Sequence, residues 1–131
     1  MYVLDFDKEN GILKEVQHVS TLPEGYEGKS SAAAVHIAED GRFLYGSNRN
    51  YDSIAVFSID EHNHRITPLE YFKTTVKYPR DFRMDPTGQY MLIGNMNSNS
   101  ISLCRISQIT GKLEYVSRVD NLELPACILF Y

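Results

Sequence analysis

Apolar residues in this chain occur in short alternating runs, and glycine-, asparagine- and aspartate-rich turns separate the runs. Such runs predict β-strands, and no stretch shows the sustained period of about 3.6 residues that an amphipathic helix requires. The predicted strands are 2–6, 12–19, 33–37, 43–46, 53–59, 66–72, 81–84, 90–93, 100–106 and 113–119. The pattern therefore predicts an all-β protein in which sequential strands pair antiparallel.

The turns between these runs have recognisable chemistry. Asn10-Gly11 lies between the first two predicted strands, and Asn-Gly is the strongest short signal for a β-hairpin. The segment 85–88 has proline in its second position and glycine in its fourth, as a type I turn prefers. Residues 21–29 contain glycine and proline without any period and predict a loop.

The chain repeats itself with an offset of 47 residues and without a gap. Residues recurring identically are Gly41 with Gly88, Asn48 with Asn95, Ser53 with Ser100, Ile54 with Ile101 and Ile59 with Ile106. The segment 6–19 repeats the pattern of residues 106–119, with an offset of 100 residues. A fixed period of this length indicates an architecture of stacked repeats.

The predicted strand 53–59 shows how the repeats pack. Ile54 and Val56 alternate with Ala55, Phe57 and Ile59, so both faces of the strand are apolar. A sheet that is apolar on both faces must be covered on both sides. Four-stranded antiparallel units stacked in this way are the blades of a β-propeller, and the absence of tryptophan argues against the WD40 type. An ordinary antiparallel β-sandwich is the alternative, although a sandwich requires no gap-free repeat.

The 131 residues supply about three blades of one partial propeller domain. The predicted units are a partial blade at 1–30, blades at 31–78 and 79–124, and a closing strand at 125–131. Propellers close with four to eight blades, so an apolar flank is left open at each end. We expect either that the missing blades belong to a longer protein, which we favour, or that the chain self-associates.

Composition narrows the classes of function. The net charge of -4, without a cluster of lysine and arginine, argues against a nucleic-acid-binding protein. No apolar run approaches the roughly 18 residues that span a membrane, and the first ten residues do not resemble a signal peptide. Cys104 and Cys127 both lie in apolar runs and are predicted to be small buried hydrophobic residues rather than a disulfide. The expected location is cytoplasmic.

Polar residues that break the repeat are candidates for chemistry, because residues needed only for packing should recur. Arg49 aligns with Met96, His36 aligns with Arg83, and Arg80 aligns with Ala33. His36 and Arg80 lie in or near the first strands of their units, which line the central channel of a propeller. Two guanidinium groups and an imidazole would suit a small anionic substrate, with the imidazole as a base. Alternatively, His36 is a packed strand residue and both arginines are ordinary loop residues.

No metal-ligand motif or phosphate-binding glycine loop is visible in the sequence.

Several segments together resemble the lactonase family of seven-bladed β-propellers, whose best-known members are bacterial 6-phosphogluconolactonases. They are AAVHIAEDGRFLY at 33–45, SNR at 47–49, SIAVF at 53–57, PRDF at 79–82 and LPACILF at 124–130. The resemblance covers nearly the whole chain but only the C-terminal part of the family's usual length. In the family's motifs, the histidine matches His36, the arginine after Ser-Asn matches Arg49 and the Pro-Arg arginine matches Arg80.

The resemblance implies hydrolysis of 6-phosphoglucono-1,5-lactone in the pentose phosphate pathway of glucose metabolism, without metal or cofactor. In that case Arg49 and Arg80 would hold the phosphate and polarise the lactone carbonyl, while His36 would activate water. The family also includes a muconate-lactonizing cyclase, so an isomerase acting on a carboxylated lactone is one alternative. A propeller that only binds other molecules is another, because fold does not determine function.

Overall fold

The computed structural model describes residues 1–73 and 75–131, which form ten β-strands and one turn of 3-10 helix. The strands are β1 (Tyr2–Asp7), β2 (Ile12–His18), β3 (Ser31–Ile37), β4 (Phe43–Arg49), β5 (Ser53–Ile59), β6 (Ile66–Phe72), β7 (Pro79–Met84), β8 (Tyr90–Asn95), β9 (Ser100–Ile106) and β10 (Leu113–Val119). The 3-10 turn, Met96–Ser98, joins β8 to β9. The predicted all-β fold is confirmed. The third and fourth strands of both full repeats have the predicted bounds, whereas the first strands begin two residues earlier.

The strands form three antiparallel sheets in which neighbours in sequence are neighbours in space. The orders are β1-β2, β3-β4-β5-β6 and β7-β8-β9-β10. The two four-stranded sheets lie within the predicted units 31–78 and 79–124, and each is a meander with its first strand at one edge. This is the architecture of a partial β-propeller, as the repeat predicted. The exact boundaries between blades remain predictions.

The two complete blades share irregularities at equivalent places. The register between the first two strands shifts between Ala32 and Val35 in one blade and between Pro79 and Asp81 in the next. A bulge adds an unpaired residue and re-aims its side chain, and here the bulge of β7 falls at Arg80. Bulges also occur at equivalent places in β6 and β10. The repeat therefore extends to the backbone geometry of the strands that line the candidate site.

A recurring polar clamp joins each sheet to the next. The Gln17 side chain accepts from the Ile66 N–H at 2.8 Å and donates to the Ile66 carbonyl at 3.0 Å. One repeat later, a Glu70 carboxylate oxygen accepts from the Leu113 N–H at 3.0 Å. Ile66 and Leu113 are 47 residues apart in sequence and each begins the fourth strand of its blade. The stacking of blades is thus set by hydrogen bonds as well as by apolar contact.

Two apolar cores lie on opposite faces of the central sheet. Ile54 and Val56 of β5 belong to the core shared with the last sheet, together with Phe82. Ala55 and Phe57 belong to the core shared with the N-terminal hairpin. All of these side chains are fully buried. The prediction that β5 is covered on both faces is confirmed, and each blade supplies one wall of the core of its neighbour.

Two expectations differ from the structure at the C-terminus. Residues 125–131 were expected to form a closing strand, but the described structure assigns no strand to them. The segment instead packs against the last sheet, where Ile128 is buried and its N–H donates to the Asp81 side chain. The expectation that Cys127 is buried is wrong, because its neighbour Ile128 fills the apolar site and Cys127 is left exposed. Cys104 is buried as predicted.

Candidate functional site

An open cleft of about 510 Å³ lies where the first strands of the two complete blades meet. Its walls come from the start of β3, the end of β4, the strand β7 and the C-terminal segment. The charged side chains that line it are Arg49, Arg80, Asp81 and Arg83, and the remaining lining residues are alanines 32, 33, 34 and 126 and Cys127. Small residues on β3 leave room for a ligand in front of three guanidinium groups.

Arg49 ends β4 and is held over the cleft by contacts with β3 and with the loop before β7. Its Nη2 donates to the Ala32 carbonyl at 3.4 Å, and its guanidinium lies 5.5 Å from the centre of the Tyr78 ring. Tyr78 has a φ of 52°, in the left-handed region that favours glycine, and its N–H donates to Asp52 at 2.9 Å. The loop before β7 is therefore fixed in the conformation that places an aromatic face against Arg49.

The strand end that carries Arg49 is anchored by a buried amide. Asn48 is fully buried, its Oδ1 accepts from the Thr21 hydroxyl at 2.7 Å, and its Nδ2 donates to the Thr21 carbonyl at 2.6 Å. Asn95, one repeat later, is also fully buried and accepts from the Lys77 N–H at 2.9 Å. These recurring asparagines hold the preceding loops against their sheets, which is why they recur.

Arg80 lies in the same cleft as Arg49. It occupies the bulge at the start of β7 and is exposed. Its guanidinium makes no hydrogen bond or ion pair with another residue in the described ranges 1–73 and 75–131. The structure thus brings two of the three predicted site residues to one cleft, and both present charge to an incoming ligand.

His36, the third predicted residue, lies in β3 beside this cleft rather than in its lining. It lines an adjoining cleft of about 310 Å³, together with Arg83 and Asp85. Its ring packs edge-on against Phe82 at 5.0 Å between centres, and its Nε2 lies 3.8 Å from an Asp81 carboxylate oxygen. Asp81 and Arg83 are the side chains that connect His36 to the arginine-lined cleft.

The surroundings of His36 favour the neutral imidazole. Burial lowers the pKa of His36 below its ordinary value, and the nearby Arg83 charge lowers it further, while Asp81 acts in the opposite direction. A neutral imidazole can accept a proton, and the adjacent carboxylate would stabilise the imidazolium that forms. The His36 imidazole beside the Asp81 carboxylate therefore has the properties that a general base requires.

Asp81 was not among the predicted site residues, although it breaks the repeat. It aligns with Ala34, so the same comparison that selected Arg80 could have found it. One of its carboxylate oxygens accepts from the Ile128 N–H at 2.8 Å, and the other faces His36. The C-terminal segment therefore fixes the carboxylate that lies beside the imidazole.

Arg83 was also not selected, although it was recognised as the residue that aligns with His36. It lines both clefts, and its Nε is buried without a hydrogen-bond partner among the described residues. The Nε of Arg49 has the same property. Together the side chains can bind an anion, polarise a carbonyl group and accept a proton. No group of three His, Cys, Asp or Glu side chains in the described part of the chain could hold a metal ion.

The sequence model of the family described as "Lactonase, 7-bladed beta-propeller" matches residues 1–130. Among curated proteins, a Bacillus subtilis protein named 6-phosphogluconolactonase is 32% identical over 127 residues. That alignment covers 97% of this chain but 36% of the relative. The chain thus spans about a third of the length of the curated relatives it matches.

Two solved structures resemble this chain closely in fold, and the chain again covers about a third of each. A crystal structure of a protein from Lactobacillus plantarum has a TM-score of 0.90 at 30% identity, covering 96% of this chain and 37% of that one. The periplasmic gluconolactonase of Pseudomonas aeruginosa has a TM-score of 0.88 at 27% identity, covering 96% of this chain and 35% of that one.

Across the described residues, no helix is both long and apolar enough to cross a membrane.

Proposed function

Because the chain belongs to the lactonase family of seven-bladed β-propellers, we propose that it carries part of the active site of a 6-phosphogluconolactonase. The observation that supports this most is the cleft in which Arg49 and Arg80 face a common space beside the His36–Asp81 pair. The proposed substrate is 6-phosphoglucono-1,5-lactone. Since the chain spans about a third of its relatives, the remaining blades would complete the pocket.

In the proposed mechanism, neutral His36 takes a proton from a water molecule as the water oxygen attacks the lactone carbonyl carbon. A guanidinium group stabilises the negative charge that develops on the carbonyl oxygen. The bond between the carbonyl carbon and the ring oxygen then breaks, and the imidazolium returns its proton to that oxygen. The product is the open-chain hydroxy acid. Asp81 stabilises the imidazolium between the two proton transfers.

Arg49 and Arg80 are proposed to divide the remaining work between the phosphate and the carbonyl. Arg49 is braced by Tyr78 and by the Ala32 carbonyl, so it is the more fixed of the two. A fixed donor is best suited to stabilise a developing oxyanion, because no reorganisation is required when the charge forms. Exposed Arg80 is better suited to capture the phosphate.

The decisive experiment measures lactone hydrolysis by this chain alone and joined to the N-terminal blades of the Bacillus subtilis relative. We expect hydrolysis of 6-phosphoglucono-1,5-lactone by the chimera. Substituting Arg80→Ala should lower kcat/KM about 10- to 100-fold, the effect of losing a hydrogen bond to a charged group. Arg105→Ala is the matched control, since Arg105 is an exposed arginine of β9 outside the cleft.

Two results would contradict the proposal. An inactive chimera, beside an active Bacillus subtilis protein, would show that this chain does not carry a lactonase site. Full activity after His36→Ala substitution would exclude the imidazole as a base, and a propeller used only for binding would tolerate that change. Turnover of a carboxylated lactone in place of the sugar phosphate would favour a lactonizing cyclase instead.

We also propose a cytoplasmic location. Cys104 and Cys127 are both unpaired thiols, and the second is exposed. Free exposed thiols are typical of a reducing compartment. The similarity to a periplasmic enzyme of Pseudomonas aeruginosa makes the periplasm the alternative, and fractionation of cells that express the protein distinguishes the two.

A further inference from the structure

Arg83 occupies the junction between the two clefts of the candidate site. It lines the cleft that contains Arg49 and Arg80, and it also lines the adjoining cleft that contains His36. It lies close enough to the imidazole to lower the pKa of His36. A bound molecule reaching from the arginines to the imidazole would therefore pass Arg83.

The guanidinium of Arg83 has binding capacity that the described residues do not use. Its side chain lines both clefts and makes no hydrogen bond or ion pair with another residue in the ranges 1–73 and 75–131. A guanidinium fork can bind two oxygens of one anion. Arg80 lines the same cleft and makes no side-chain hydrogen bond in these ranges either, so the two guanidinium groups could bind one anion together.

The charge of the cleft matches a doubly charged group. The arginine-lined cleft has three guanidinium groups and one carboxylate, that of Asp81, an excess of two positive charges. The carboxylates of Glu39 and Asp85 line the adjoining cleft, on the side of the imidazole. The whole chain, in contrast, has a net charge of -4. A phosphate monoester carries about -1.5 to -2 charges at neutral pH and has three strong acceptor oxygens. A carboxylate carries one charge and two oxygens, and would leave one guanidinium group uncompensated.

We propose that Arg83 is a specificity-determining residue that makes this site prefer a phosphorylated sugar lactone to the unphosphorylated lactone. The inference rests on the proposed function, because it assumes that a sugar lactone or its open acid occupies the cleft. Arg83 joins Arg80 at the phosphate as a second guanidinium fork, while the sugar ring extends towards His36. A site without this second fork would still bind the sugar but would discriminate less between the phosphorylated and unphosphorylated lactones.

The test measures binding, so it does not depend on turnover. Isothermal titration calorimetry with 6-phosphogluconate and with gluconate is done on the wild-type chain and on Arg83→Gln. The substitution should weaken binding of 6-phosphogluconate roughly 10- to 100-fold, the usual loss for a hydrogen bond to a charged group. Gluconate binding should change less than about threefold. Arg105→Gln is the matched control and should change neither affinity, since Arg105 lies outside both clefts.

A second variant guards against an effect of misfolding. Arg83→Lys keeps the charge but loses the planar fork, and it should recover part of the preference for 6-phosphogluconate. The proposal would be overturned if both variants lost affinity equally for 6-phosphogluconate and gluconate. It would also be overturned if Arg83→Gln kept the wild-type ratio of the two affinities. A wild-type chain that binds 6-phosphogluconate no better than gluconate would overturn it as well. A lactonase whose preference is independent of Arg83 would refute this inference alone, whereas loss of hydrolysis with an intact binding preference would refute the proposed reaction alone.

Discussion

At the scale of single residues, the protonation of His36 depends on two side chains of opposite charge. Burial is the main reason that its pKa is lowered, the Arg83 charge adds to that effect, and Asp81 opposes it. The sign of each change therefore follows directly. Arg83→Gln removes a repulsive charge and should raise the pKa of His36, whereas Asp81→Asn removes an attractive charge and should lower it further.

Titration of the imidazole by nuclear magnetic resonance measures both shifts on the chain as it stands. The His36 signal is identified by its absence from the spectrum of a His36→Gln variant. In an active protein, the acidic limb of the rate profile should move to higher pH in Arg83→Gln and to lower pH in Asp81→Asn, since the base must be neutral. Shifts of the same sign in both variants would contradict the described geometry.

The same scale shows why some residues of the candidate cleft could be selected from the sequence and others could not. Arg49 and Arg80 could be selected because a different residue type stands at the equivalent position of the other repeat, whereas residues needed only for packing should recur. Asp81 also breaks the repeat, but its role depends on the Ile128 N–H, 47 residues further along the chain. No local pattern encodes that contact. The unpartnered Nε of Arg83 is likewise a property of packing, and it can be seen only in three dimensions.

At the scale of elements, the recurring asparagines are structural residues. Asn48 places its amide between the loop before β3 and the strand β5, where its Nδ2 also donates to the Ser53 hydroxyl at 3.2 Å. Asn48→Ala would leave the half-buried Thr21 carbonyl and hydroxyl and the buried Ser53 hydroxyl without this partner. We expect a loss of about 2–3 kcal/mol in the free energy of unfolding, measured by urea denaturation.

Asn97→Ala provides the comparison for that measurement. Asn97 is exposed in the 3-10 turn, so its truncation should change the free energy of unfolding by less than about 0.5 kcal/mol. Equal effects at the two positions would show that the buried amide of Asn48 does not anchor the loop.

The C-terminal segment depends on one glycine of β8. A Cβ atom placed on Gly94 would lie 2.7 Å from the Pro125 carbonyl oxygen, closer than real Cβ contacts. Gly94→Ala should therefore displace the segment that supplies Ala126 to the cleft and the Ile128 N–H to Asp81. Hydrogen exchange of the Ile128 amide should become faster, because that amide is protected by a single bond.

Gly46→Ala is the matched substitution in β4. A Cβ atom there meets only the terminal methyl group of Met1 at 3.1 Å, which is the end of a flexible side chain. Exchange at Ile128 should be unchanged in this variant. If Gly94→Ala also leaves it unchanged, close packing of β8 against Pro125 does not hold the segment.

The elements themselves were largely predictable, for a physical reason. The alternation of side chains and the turn residues that predict a strand all lie within the strand and its flanking turns. The repeat also shows the same pattern twice, once in each complete blade. The C-terminal segment was the exception. Its apolar residues fit a strand equally well, but a strand also requires the free edge of a partner, and that requirement is not contained in the segment.

At the scale of the whole molecule, the chain ends in two open apolar flanks. Val3 packs towards the central sheet, and the opposite face of the N-terminal hairpin exposes Leu4, Phe6 and Leu13 by 48%, 53% and 62%. At the other end, Leu92, Leu103 and Phe130 line an open cleft of about 250 Å³ on the last sheet. In a closed propeller both faces would meet further blades, as the faces of the central sheet do here.

We therefore expect this chain to self-associate when no other blades are present. The average mass from light scattering should rise with protein concentration, because a head-to-tail contact between unlike flanks need not close into a defined ring. Leu13→Glu places a charge on one flank and should shift the mass towards that of a monomer. Ile109→Glu is the control, because Ile109 is 86% exposed in the turn between β9 and β10, away from both flanks. The average mass of this variant should depend on concentration as that of the wild type does. A monomeric wild-type chain at every concentration would refute the expectation. A single closed oligomer that hydrolyses the lactone would mean instead that copies of the chain rebuild both the ring and the site.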